Sequence, residues 1–158
     1  MALTDEQIRR AALWWMGVVR APKFDALGGE RDRFMELAQV LMSLGAARSR
    51  PTETQIAAFG GALADVLRGE PVSIASSSGR AETSVFASSD TLVVDYHPDP
   101  MLAHAARRAG LSESVLPIKT SMWFDAAHES VRVRYGYGAP RQEVGPDGAL
   151  YPLAESAP

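Results

Sequence analysis

The sequence predicts an α+β fold: three N-terminal helices packed on a small, mainly antiparallel sheet, with one short helix inserted and a C-terminal β-hairpin. Three observations predict it. Apolar residues recur at helical spacing through the first half, at Ile8, Ala11, Ala12, Trp15, Val18 and Val19, and again at Phe34, Leu37, Ala38, Leu41 and Leu44. Two segments, Thr4-Asp5-Glu6-Gln7 and Thr52-Glu53-Thr54-Gln55, carry the S/T-x-x-E/Q form of a capping box. Ser130-Val131-Arg132-Val133-Arg134-Tyr135 alternates with a strict period of two. At 158 residues the chain is long enough for one core, expected over residues 1–141, with a helical part at 4–69 and a β-rich part at 71–141.

The first helix is expected from Asp5 to Val19. Asp5 and Glu6 suit the positive end of its dipole, and Pro22 lies beyond its end. Trp15 is central in its apolar stripe and Trp14 lies on the flank. Leu13 is opposite, so either it is exposed or this helix is covered on more than one side. Residues 20–29 read as a loop closing on Gly28-Gly29, and a second helix follows from Glu30 to Ala46. After Ser49-Arg50-Pro51 a third helix runs through Ile56, Phe59, Leu63, Val66 and Leu67 to a stop at Gly69 and Pro71. Gly60-Gly61 inside it costs about 1 kcal/mol per residue relative to alanine. A close helix–helix approach is the expected compensation.

The composition then changes. Val72-Ser73-Ile74 alternates, Ser76-Ser77-Ser78-Gly79-Arg80 reads as a connection, and Thr83–Phe86 and Thr91–Tyr96 are strand candidates. Asp99-Pro100 opens a short helix through Met101, Leu102, Ala105, Ala106 and Ala109, with Gly110 as its stop. Ile118–Phe124 and Ser130–Tyr135 form the hairpin around a turn near Asp125-Ala126-Ala127. Val131, Val133 and Tyr135 are expected to face the core, with Arg132 and Arg134 facing solvent. Proline, glycine and acidic residues beyond Pro140 predict a frayed tail over 142–158.

Bulk properties exclude several classes. The formal charge of -3 argues against a dedicated nucleic-acid binder, which needs a basic stripe. The absence of cysteine removes disulfides, thiol catalysis and cysteine-held metal. No apolar run approaches the roughly 20 residues that span a bilayer, and the acidic start is unlike a signal peptide. A cytoplasmic protein without cofactor is expected.

Asp95-x-His97-x-Asp99 has the most metal-like spacing in the chain, since residues two apart on a strand share a face. Pro98 and the capping role of Asp99 place a turn inside it, so a strand end, a turn and a helix cap is the preferred reading, and no metal site is expected. If the chain were an enzyme, Asp95, His97 and Asp99 would be its catalytic groups. Pro98-Asp99 with Lys119 invites comparison with metal-dependent nucleases, but Pro117 stands where a second carboxylate is required. The Ser76–Gly79 run lacks phosphate-loop spacing and there is no G-x-S-x-G elbow. Binding candidates are Lys119, Trp123, Arg132, Arg134, Tyr135 and Tyr137, with Arg141 extending the basic strip. Aromatic rings alternate there with glycines in Tyr135-Gly136-Tyr137-Gly138, allowing a partner's backbone to approach.

Ala12-Leu13-Trp14-Trp15, Val94-Asp95-Tyr96-His97-Pro98-Asp99 with the helix after it, and Lys119-Thr120…Met122-Trp123…Tyr135-Gly136-Tyr137-Gly138-Ala139-Pro140 together resemble a group of small uncharacterised proteins of tailed phages and prophages. The resemblance covers most of the chain and implies an accessory role in infection, by binding a host or defence macromolecule. The expected function is therefore non-enzymatic protein binding through the hairpin face. Two alternatives stand beside it: a small enzyme acting on a nucleotide or other phosphorylated metabolite, with Lys119 and Arg132 holding phosphate, and a virion structural component.

Overall fold

The Thr4 hydroxyl accepts the Gln7 amide at 3.1 Å, while the Thr4 amide donates to Gln7 Oε1 at 3.0 Å. This reciprocal cap opens α1 (Asp5–Arg20). Thr52 and Gln55 repeat the arrangement at 3.1 and 3.0 Å and open α2 (Glu53–Leu67). The structure is a computed structural model that describes residues 3–20, 51–75, 79–87, 90–117, 119–136 and 138–153. The helix expected from Glu30 to Ala46 lies outside the described residues.

Two strands, β1 (Val72–Ala75) and β2 (Ala81–Ser84), form a small antiparallel sheet of their own. A second antiparallel sheet contains β3 (Leu92–Val94), β4 (Thr120–Asp125), β5 (Ser130–Tyr135), β6 (Arg141–Val144) and β7 (Leu150–Pro152), in that order across it. Between β3 and β4 lie α3 (Pro100–Arg108) and a single 3-10 turn at Glu113–Val115. The architecture is mixed helix and antiparallel sheet, as an α+β fold requires.

α1 packs on one face of the five-stranded sheet. Trp15 and Met122 are fully buried, and the indole Nε1 of Trp15 donates to Met122 Sδ at 3.2 Å. Trp14 stands edge-on to Tyr135 with centroids 5.3 Å apart. Val131 and Val133 are buried on the same side, as the period-two pattern requires. Phe59 and Leu63 of α2 and Leu102 of α3 complete the same hydrophobic cluster. α1 and α2 meet at Gly60: a Cβ there would stand 2.2 Å from Met16 Sδ, whereas one on Gly61 would meet nothing within 4 Å. The close approach explains the first glycine and not the second.

Two expectations require correction. The hairpin β4–β5 is not terminal; it forms the middle of the sheet, with β6 and β7 added beyond it. Those strands lie at Arg141–Val144 and Leu150–Pro152, although a frayed tail was expected over 142–158. Their turn is Gly145-Pro146-Asp147-Gly148, where proline supplies the first turn dihedral and Gly148 has φ +79°. The Gly145 amide donates to the Ala149 carbonyl at 2.8 Å, and Asp147 accepts the Ala149 amide at 3.1 Å. α1 secures the unit: Arg9 donates to the Pro146 carbonyl at 2.8 Å and Arg10 to the Val144 carbonyl at 3.3 Å. Gly148 lies so close to α1 that a Cβ would stand 2.8 Å from Leu13 Cβ. α1 is therefore covered on a second side, which accounts for the apolar residue opposite its main stripe.

Candidate functional site

The register of the large sheet sorts its residues into a core face and an outward face. On the outward face one row runs Val93, Ser121, Arg134, Arg141, and the next runs Trp123, Arg132, Glu143, Tyr151. The ladder continues beyond the strands: the Lys119 amide donates to the Asp95 carbonyl and the Gly136 amide to the Lys119 carbonyl, both at 3.1 Å. Asp95, Lys119 and Gly136 thus add a third row at one end.

In this end row the Lys119 ammonium pairs with the Asp95 carboxylate and stands 4.1 Å from the centroid of the Tyr96 ring. The carboxylate holds the lysine pKa above its usual value. Lys119 also has φ +56°, a left-handed conformation costly for a residue with a Cβ, and Gly136 beside it has φ +97°. Tyr96 is 71% exposed. β3 ends at Val94 rather than at Tyr96, because an isolated bridge from Val94 to Pro98 folds Asp95-Tyr96-His97 into a bend.

Asp99 faces elsewhere. One of its carboxylate oxygens accepts the amides of Met101 and Leu102 at 2.9 and 3.0 Å, and the other accepts the Val93 amide at 2.7 Å. Burial raises its pKa against the pull of these three donors. It caps α3 and closes the bend. His97 is exposed and has no hydrogen bond or ion pair among the described residues. Of the three groups in Asp95-x-His97-x-Asp99, only Asp95 reaches Lys119. Among the described residues no cluster of three or more histidines and carboxylates is arranged to hold a metal ion.

In the middle rows the Arg141 guanidinium lies over the half-buried Trp123 ring, 5.3 Å from its centroid. Arg132 is half-buried and reaches the Asp125 carboxylate at 3.5 Å, while its Nε is buried without a hydrogen-bond partner. Asp125 in turn accepts from the Ala127 and His128 amides and from the His128 ring at 2.9 Å, contacts that lower its pKa. Arg134 and Arg141 are exposed, directly opposite one another, and neither has an ion pair among the described residues.

The binding candidates therefore divide. Trp123, Arg132, Arg134 and Arg141 share one face, and Lys119 borders it. Tyr135 is 9% exposed and packs edge-on against Trp14, so it belongs to the core side. The alternation that turned Val131 and Val133 inward applies equally to it. Tyr137 lies outside the described residues. Sequence reasoning missed Tyr151, 46% exposed in the Trp123 row, because its strand is too short to show alternation. It also missed Tyr96, whose exposure comes from the Val94–Pro98 bridge rather than from any local pattern.

No protein-family model matches the chain, and no curated protein matches it. Among the described residues no helix is long and apolar enough to cross a membrane.

Proposed function

We propose that the chain is a non-enzymatic binding protein whose contact surface is the outward face of β4, β5 and β6. The resemblance to proteins of tailed phages and prophages makes the partner a host or defence macromolecule and the role an accessory one in infection. One observation carries the reading: the Arg141 guanidinium stacks over Trp123 on the face opposite the core. An aromatic ring under an arginine, with Arg132 and Arg134 adjacent, is the composition of an interface anchor and contributes nothing to the buried cluster.

The competing reading, an enzyme acting on a phosphorylated compound, draws on the meeting of Asp95 and Lys119. That same contact satisfies the ammonium charge that would bind phosphate, and Asp99 is occupied as a cap. The binding reading is the better supported.

The test is recovery of partners from a host lysate by wild type and by the Arg132→Glu/Arg134→Glu variant, both checked for folding by circular dichroism. Loss of a specific partner with the folded variant supports the reading. Identical partners at identical yield overturn it.

A further inference from the structure

Arg134 and Arg141 are direct cross-strand partners. Directly opposed residues of an antiparallel pair hold their Cβ atoms about 4.5–5.5 Å apart, and like charges so placed destabilise the sheet. Nearby carboxylates do not relieve this pair. Asp95 is engaged by Lys119, Asp125 by Arg132 and His128, and Glu143 lies opposite Arg132 in the next row. Arg141 rests on the Trp123 ring, which restricts its guanidinium before any ligand arrives.

The geometry points to a carboxylate clamp: Arg134 and Arg141 together receive an acidic side chain from a protein partner, with Trp123 as the platform beneath. This inference rests on the binding function proposed above and names the partner's chemistry. Guanidinium forks match carboxylates through paired N–H donors, and two side by side accept one carboxylate between them or two from neighbouring residues. The patch is short. Asp95 ends it on one side and Glu143 stands in the row on the other, while the chain as a whole carries -3. A nucleic acid carries its charges on the backbone, one at every nucleotide, and would run them onto those carboxylates; an acidic peptide carries them on side chains that can turn away into solvent.

The test uses the full chain labelled with nitrogen-15, following arginine side-chain Nε–Hε signals assigned with the Arg134→Gln and Arg141→Gln variants. The probes are hexaglutamate, hexaglutamine and a thymidine octanucleotide. Hexaglutamate is expected to shift the Arg134 and Arg141 signals in a saturable manner that salt weakens, and hexaglutamine is not. Each single variant is expected to weaken hexaglutamate about fivefold or more, in line with the loss of one charge-assisted contact. Arg134→Gln should melt no lower than wild type, since it removes a like-charge opposition; Arg141→Gln also gives up its contact with Trp123, so its melt is measured beside its binding to separate the two effects.

Unmoved Arg134 and Arg141 signals at millimolar hexaglutamate would overturn the clamp, as would equal shifts from hexaglutamine or tighter binding of the oligonucleotide. If lysate recovery depends on Arg132 and Arg134 while hexaglutamate leaves the signals unmoved, the clamp alone fails. If recovery is also indifferent to those arginines, the binding face fails with it.

Discussion

Gln7, on the first turn of α1, donates its side-chain amide to the Ser130 carbonyl at 3.2 Å across 123 residues of sequence, and also to the Asp125 carbonyl at 3.1 Å. The same side chain completes the Thr4 cap. One residue thus starts the first helix and holds the end of the central hairpin against it. Replacing Gln7 with methionine keeps the volume but removes its two donors to the hairpin end and the acceptor for the Thr4 amide. Urea unfolding should show a loss of about 2–3 kcal/mol, and a midpoint equal to wild type would contradict this role.

Gly60 and Gly61 adjoin one another on α2 and differ in surroundings. Gly61→Ala fills open space and should stabilise by about 0.5–1 kcal/mol through helix propensity and unfolded-state entropy. Gly60→Ala must displace the Met16 side chain and should be less stable than Gly61→Ala by about 1 kcal/mol or more. Denaturant midpoints of the two variants, compared side by side, check this order.

Asp99 offers a direct choice between a structural and a chemical role. As an N-cap that also binds the Val93 amide, it should cost about 2–3 kcal/mol when changed to alanine. Asparagine keeps one acceptor oxygen for the Met101 and Leu102 amides but sets its NH2 against the Val93 amide, so its stability should fall between wild type and alanine. Thermal melts in which both variants fall equally would indicate that the carboxylate charge, and not the cap, is what matters.

Glu129 ends the β4–β5 turn with φ +48°. A left-handed residue carrying a Cβ is strained. Glu129→Gly should therefore stabilise by about 0.5 kcal/mol after the entropic cost of glycine. A fall in melting temperature would show that the glutamate side chain has a compensating contact.

The Arg9 and Arg10 guanidiniums hold the Glu6 carboxyl down to about 2. A carboxyl depressed in the folded state stabilises above its unfolded pKa, and that contribution is lost as pH falls through the folded value. The window runs from the ordinary glutamate pKa of about 4.3 down to about 2. Glu53, held down by Arg20, and Asp125, held down chiefly by His128, act in the same direction. Asp99 acts oppositely, because its raised pKa favours the folded state at low pH. Glu6→Gln should flatten the acid limb of stability against pH within that window. An unchanged limb would place the acid sensitivity elsewhere.

What could be read from the chain alone was whatever depends on near neighbours. Both capping boxes formed where Thr4 and Thr52 stand, because a cap joins groups three residues apart. The alternation of Ser130–Tyr135 assigned Val131, Val133 and Tyr135 to the core, because pleating alone determines which side a residue faces. Asp99-Pro100 opened α3 for the same local reason. Pro146-Asp147-Gly148 carries turn residues too, but the strands beside it are too short to show a pattern and the segment read as tail.

Only the tertiary structure decided the rest. β6 and β7 exist because β5 offers an edge and α1 supplies Arg9, Arg10 and a close surface at Leu13. Neither Arg141–Val144 nor Leu150–Pro152 is long enough to show such partners in advance. The Asp95–Lys119 pair and the opposition of Arg134 to Arg141 depend on strand register, in which a one-residue slip would turn every side chain to the other face. The sequence by itself determined where α1, α2 and α3 begin and which side β5 presents. The register and the packing of α1 determined which charges meet, because those pairings join residues far apart in the chain.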